Sequence, residues 1–277
     1  MQLGQTKHSL IDCVKDISLI TSSEALELAQ DSNAEPSTSV HKIRVATKRL
    51  RATWYLLRSG QTQTLATCAI NRLRNVARQL AAKRDKTVVK EVLADLSAGP
   101  LGLAEALPDP GLESARLIEL LQLEHQTWLE LEPGLTSQAL ITKNLRRTYR
   151  RARKLSKLAT RKKSDYDLRH QWRKWVKYLY YQVDMLERCG LTGQHKLIAN
   201  LDQLGEALGN EHDMYVLKKR IDSAKNEKTE AVLRELKQGL KNYRRQTRLL
   251  ADKVFSRTPS QFLQYLHKKD RLFFSRP

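Results

Sequence analysis

Glycine and proline are too scarce to punctuate this chain closely: there are eleven and seven of them among 277 residues, and three of the prolines fall in GPLGLAEALPDPG at 99–111. Short strands joined by tight turns need such residues every few positions, and strand-like alternation is missing too, so a β-sandwich or barrel is excluded. Cysteine is scarcer still. Cys13, Cys68 and Cys189 are odd in number and widely spaced, which excludes a disulfide framework and reads as reduced, packed thiols of a cytosolic protein. No stretch approaches the roughly 18 apolar residues of a membrane span. The opening MQLGQTKHSLIDCVKDISLI lacks the basic segment and unbroken apolar run of a signal peptide. No membrane insertion is expected, and a cytoplasmic location is. Acidic side chains are also short, with 30 Asp and Glu against 50 Lys and Arg, a net charge of +20. Such an excess calls for a polyanionic partner: nucleic acid, an acidic membrane surface or another phosphate polymer.

What is present is apolar material in helical periodicity. Hydrophobic residues make up 40% of the chain, enough for one large core or two small ones. Apolar residues recur at three- and four-residue spacing and predict helices near 7–30, 37–59, 62–97, 112–131, 135–160, 165–188, 194–208, 211–223, 227–255 and 259–272. Glu132-Pro133-Gly134 is the expected midpoint linker between two halves, 1–133 and 134–277.

Within the second helix lies VHKIRVATKRLR, residues 40–51. Projected at about 100° per residue, His41, Arg44, Lys48, Arg51 and Tyr55 fall in one narrow arc, with Ile43, Leu50, Trp54 and Leu57 opposite. A charged helix face is ordinarily just solvated. This one has a second copy. HQWRKWVKYLYYQVDML begins at His170 and sets His170, Arg173 and Lys177 against His41, Arg44 and Lys48, 129 residues away, with Trp172, Leu179, Val183 and Leu186 in the same apolar register. LDQLGEALGNEHDMYVL (201–217) likewise matches LRNVARQLAAKRDKTVV (73–89) at an offset of 128. Two matched segments in one order at nearly one offset imply an internal duplication. Solvation alone does not repeat a charged face in register with its core.

VHKIRVATKRLR, HQWRKWVKYLYYQ and LGNEHDMYVL resemble the signature helices of the CHAD family, the conserved histidine α-helical domain, and the resemblance runs through both halves. It implies an all-α fold of two four-helix bundles related by a pseudo-twofold axis, with basic residues lining their junction and inorganic polyphosphate as the ligand. Many members of the family carry a CYTH triphosphatase domain with an E-x-E-x-K motif. The nearest approach here, Glu130-Leu131-Glu132, runs into Pro133 and Gly134 without the lysine, so the chain looks like a stand-alone binding module. The residues that would carry the binding are His41, Arg44, Lys48 and Arg51, with Arg74, Arg78 and Arg84 in the first half. In the second they are Arg146, Arg150, Arg153, His170, Arg173, Lys174, Lys177, Tyr181 and His212. Arg84 stands where the second repeat has His212, a departure that leaves open whether histidine is required there.

These residue types suit a polymer of phosphates that has no bases to read. Affinity must come from charge-assisted hydrogen bonds and release of condensed counterions. Arginine offers a planar fork to two oxygens, lysine a compact movable charge, and histidine one donor when neutral and two when protonated. ITKNLRRTYRRARKLSKLATRKK (141–163) adds eleven Lys or Arg and no acid, with Arg146, Arg150 and Arg153 on one face and Tyr149 alongside. Tyr55, Tyr180 and Tyr181 could donate hydroxyls or simply pack at a bundle edge.

An enzymatic role finds no motif. His212-Asp213 could suggest a metal-dependent phosphohydrolase, but Arg84 at the duplicate position cannot ligate metal and the other histidines form no ligand-spaced cluster. Asp85 and Asp213 read as orienting arginines or capping the next helix. No phosphate loop, nucleophile elbow or catalytic carboxylate pair stands out. Non-catalytic binding with no enzyme role, no cofactor and no metal is the expectation, with targeting to polyphosphate or storage granules as one use. The alternative is an RNA- or DNA-backbone binder, disfavoured by the 6% aromatic content, since base stacking needs exposed rings.

Overall fold

A computed structural model describes residues 9–31, 33, 35–80, 114–162, 165–222, 227–270 and 273. Among these residues there are nine α-helices and one 3-10 turn, and no strand: α1 (Leu10–Gln30), α2 (Pro36–Leu57), α3 (Gln63–Gln79), α4 (Ser114–Leu129), the turn Pro133–Leu135, α5 (Gln138–Arg161), α6 (Tyr166–Arg188), α7 (His195–Asp222), α8 (Glu227–Val254) and α9 (Pro259–Lys269). The all-α expectation therefore holds. No helix among them is long and apolar enough to cross a membrane.

Local chemistry sets the helix starts. Ser9 and Asp12 close a capping box on α1, and Thr258 with Gln261 closes another on α9. Pro36 opens α2, where Glu35 accepts from Ser37 and Thr38; hydrogen bonds from Thr38 and Ser37 hold its carboxyl down at about 2. Ser137 and Asp165 cap α5 and α6. One boundary differs from the sequence expectation. The helices predicted over 194–208 and 211–223 are the single helix α7, so Gly209 breaks nothing and Asp213, inside that helix, caps nothing. Glycine costs a helix about 1 kcal/mol relative to alanine. Here tertiary packing overrides that preference, because Arg173 lies over Gly209 and Lys177 over Gly205. The predicted third helix continues beyond Leu80, outside the described residues, as do Arg84 and Asp85.

α1 packs on α2 and α4, and α3 on the same two helices. α5 packs on α6, α6 on α7, α7 on α8, and α9 on α5. The two sets meet chiefly where α2 lies along α6, with a further contact of α2 on α5. The main core runs without a break from Val14, Trp54 and Trp128 to Trp172, Leu204 and Phe262. A smaller cluster around Ile43, Val76 and Leu121 fills the space between α1, α2, α3 and α4.

Two buried polar knots fix the helices in register. Glu124, wholly buried, accepts from the indole N–H groups of Trp54 (2.7 Å) and Trp128 (2.9 Å) and from Arg72 (2.9 Å), beneath indoles stacked at 4.2 Å. Arg72 thus serves packing within the first set. In the second set, buried Arg169 donates to Glu211 and to Thr247, tying α6 to α7 and α8. Tyr149, beside the predicted basic face of α5, is also core: it stacks on Phe262 at 4.0 Å and donates to the carbonyls of Val254 and Arg257. Of the cysteines, Cys189 is buried against Cys13 and burial pushes its thiol up. Cys68 is exposed on α3, contrary to the expectation that all three pack.

Candidate functional site

The seam between α2 and α6 is antiparallel, since later residues of one helix meet earlier residues of the other. The Tyr55 ring lies 5.5 Å from Trp175 and 4.9 Å from Tyr178, while the Arg49 guanidinium sits 6.0 Å over Tyr181. Small Ala52 lets Tyr178 and Tyr181 close on it, and Gln182 donates to the Ala52 carbonyl at 2.9 Å. Burial raises Tyr178 above its ordinary range and pushes Tyr181 up to about 12, so both remain neutral phenols.

Beside this aromatic seam the structure gathers cations. The Lys174 ammonium is held below the ordinary lysine range, first by partial desolvation and then by repulsion from Arg74, Arg51 and Arg151. These four side chains come from α6, α3, α2 and α5. Arg74 also donates to the Tyr55 hydroxyl at 3.2 Å. Tyr55 and Trp175 then form one wall of a cleft of about 380 Å3, which Arg58, Gln63, Asn144, Arg147 and Thr148 complete. Asn144 anchors this corner by donating to the carbonyls of Leu56 (3.0 Å) and Arg58 (2.7 Å), which fixes α5 against the end of α2. Arg58 donates to Gln63 at 2.9 Å and Arg147 to Asn144 at 3.4 Å.

The residues named from sequence divide into groups. Arg51, Arg74 and Lys174 converge at the seam, and Tyr181 is buried in it. Arg44 donates to the Ala77 and Leu80 carbonyls (3.4 and 3.3 Å) at the end of α3, satisfying acceptors a helix end leaves open. Lys177 pairs with Asp202 at 3.1 Å and lies 5.2 Å over Tyr180. Arg173 crosses Gly209, and the His170 and His212 rings are 4.7 Å apart. Lys48 is half-buried on α2. The second stripe thus lies against Gly205 and Gly209 of α7, and in the first Arg44 reaches Ala77, which stands 128 positions before Gly205 in the sequence.

The others point elsewhere. His41 rims a cleft of about 690 Å3 that Glu24, Glu27 and Asp31 share with Lys42 and Arg49, a surface of mixed sign. Exposed Arg78 bonds Asn75 on its own helix. Arg146 donates to Ser260 (2.7 Å) and Arg153 to the Phe255 carbonyl (3.1 Å), so with Arg150 they occupy the α9 side of α5. The α5 residues at the seam are Arg147 and Arg151, which the sequence reading did not name, and neither did it name Arg58 or Trp175. Among the described residues, no group of three or more His, Cys, Asp or Glu side chains is arranged to hold a metal ion.

The described residues thus form an all-helical fold in which cations from four helices gather around Lys174. Residues 23–222 match the family model described as the CHAD domain, and the chain belongs to that family. The match begins within α1 and ends at the last residue of α7, leaving α8 and α9 beyond it. No curated protein and no solved structure matches the chain.

Proposed function

We propose that the chain binds inorganic polyphosphate across the α2–α6 seam and does not turn it over. The observation that carries this reading is Lys174 held among Arg51, Arg74 and Arg151. The fold brings four cations from four helices into one repulsive field, which a polyanion would relieve while releasing its own counterions. Family membership supports the same ligand, and targeting to polyphosphate or storage granules is one use for such binding.

The reading includes the architecture: two four-helix bundles, 1–133 and 134–277, related by a pseudo-twofold axis, with a basic groove at their junction. The seam supports it. An offset of 129 turns the contact between Arg49 and Tyr181 into one between Tyr178 and Ala52, and that pair also touches. A twofold axis between antiparallel helices requires this exchange.

Nucleic acid is the second reading, and one observation favours it: Tyr55, Trp175, Tyr178, Tyr180 and Tyr181 concentrate at the seam. These rings pack on one another, with Tyr178 and Tyr181 buried, which supports a wall more than a base-stacking platform. A competition assay separates the two. Long-chain polyphosphate should displace RNA and DNA of matched charge, without orthophosphate release in the presence or absence of divalent metal. Equal affinity for duplex DNA, or release of orthophosphate, would defeat the proposal.

A further inference from the structure

The sequence and fold of α5 leave one strongly charged surface that the seam does not use. Arg150, Arg153, Lys154, Lys157 and Arg161 line a cleft of about 320 Å3 closed at one side by Pro259 at the start of α9. They stand at spacings of three, four, seven and eleven residues along one face, and α5 carries no acidic residue at all. Arg153 is fixed there by its bond to the Phe255 carbonyl, while Arg150, Lys154, Lys157 and Arg161 are exposed. Like charges three or four residues apart disfavour a helix, so this row opposes the stability of the element that bears it.

The row is also continuous with the seam. Arg147 and Arg151 face the seam from the same helix, and Arg151 and Lys154 are neighbours three residues apart on its surface. A flexible anionic chain leaving the seam past Arg151 meets Lys154 next. Among the described residues no aromatic ring lines the outer cleft, which gives bases nothing to stack on there. Among the described residues the exposed large hydrophobics, Ile20, Leu123, Leu129 and Leu249, are all on other helices, so none of them gives this face an apolar anchor for a lipid surface.

We propose that the outer row of α5 is a second subsite for the same phosphate chain, so that affinity rises with chain length once a chain is long enough to pass from the seam over α5. This rests on the polyphosphate reading of the seam. A chain held at both places binds the second site intramolecularly, and the gain disappears for chains too short to span them.

The test titrates the full chain with polyphosphates of increasing length, starting from the shortest that binds, before and after the combined change Lys154→Gln, Lys157→Gln and Arg161→Gln. A second variant, Arg150→Gln with Lys154→Gln, guards against a folding defect in the first, and the melting temperature of each is measured. The short-chain Kd should stay within about twofold, while the long-chain Kd weakens by roughly tenfold or more. Equal losses at every length, or no loss for the long chain, would overturn the second subsite. Failure of every length to bind the unaltered protein would overturn the seam reading instead, and this inference with it.

Discussion

Lys174 shows at the scale of one residue how the fold sets up a repulsive field of cations. Its ammonium is disfavoured by desolvation and by Arg74, Arg51 and Arg151, and a bound polyanion reverses that bias by favouring the charged form. Binding should therefore take up a proton. With the bound pKa above the free one, affinity is full below the free value and declines as pH rises between the two. Isothermal titration in two alkaline buffers of different ionisation heat checks the uptake, and Lys174→Gln should abolish it. Glu124 gives the corresponding test of stability. Burial raises its pKa above 4.5 despite the hydrogen bonds from Trp54 and the charge of Arg72. The folded state thus binds its proton more tightly than the unfolded one, so its contribution to stability declines as pH climbs from 4.5 through the raised value. Glu124→Ala strands two indole donors and Arg72 and should cost roughly 3–5 kcal/mol. Glu124→Gln keeps an acceptor for both indoles, should cost less than half of that, and should lose the pH dependence; urea melts at several pH values read all three. At this scale the sequence was only partly legible. Arg51, Arg74 and Lys174 were identifiable, but Arg147 and Arg151 were not, because nearly every exposed position of α5 is basic and periodicity cannot choose among equally charged faces. The mixed environment of His41 comes from Glu24 and Glu27 of α1 and Asp31 just after it, which no projection of α2 alone reveals.

At the scale of the helix, α7 is where sequence rules and packing disagree. Gly209 in LDQLGEALGNEHDMYVL reads as a break, and the helix runs through it as it does through Gly205. Their missing Cβ atoms are filled from α6: a Cβ on Gly209 would stand 3.3 Å from Arg173 Nη2, and one on Gly205 only 2.6 Å from Lys177 Cε. The spacing of the glycines was legible, but their partner was not, because helix–helix proximity is absent from a local pattern. Gly209→Ala should therefore separate stability from binding. Helix preference favours alanine by up to about 1 kcal/mol, and the atoms it meets belong to a flexible side chain. The melting temperature should hold or rise while polyphosphate affinity changes with the displaced Arg173. A large fall in melting temperature with unchanged affinity would show that the glycine serves packing alone.

For the whole molecule the all-α architecture was the most legible feature, since it needs only helical periodicity. Which part of the junction is basic was not legible, because the offset that maps one half onto the other exchanges Arg74 for Asp202 and Arg51 for Tyr180. The two matched stripes carry different charges around them: the cations concentrate around Lys174, while Lys177 pairs with Asp202. A net charge of +20 attracts any polyanion, and its affinity falls steeply with salt whether or not a site exists. The deciding measurement is therefore a comparison at constant net charge. Long-chain polyphosphate is titrated against Arg51→Gln/Arg74→Gln/Lys174→Gln and against Lys237→Gln/Lys241→Gln/Arg248→Gln, three exposed positions on α8, at one salt concentration. Each charged hydrogen bond lost at a site is worth about 1.5–3 kcal/mol, so the seam variant should bind on the order of a hundredfold more weakly or worse, and the α8 variant within about threefold of the unaltered protein. Equal losses in the two variants would mean that the seam is only part of a charged surface.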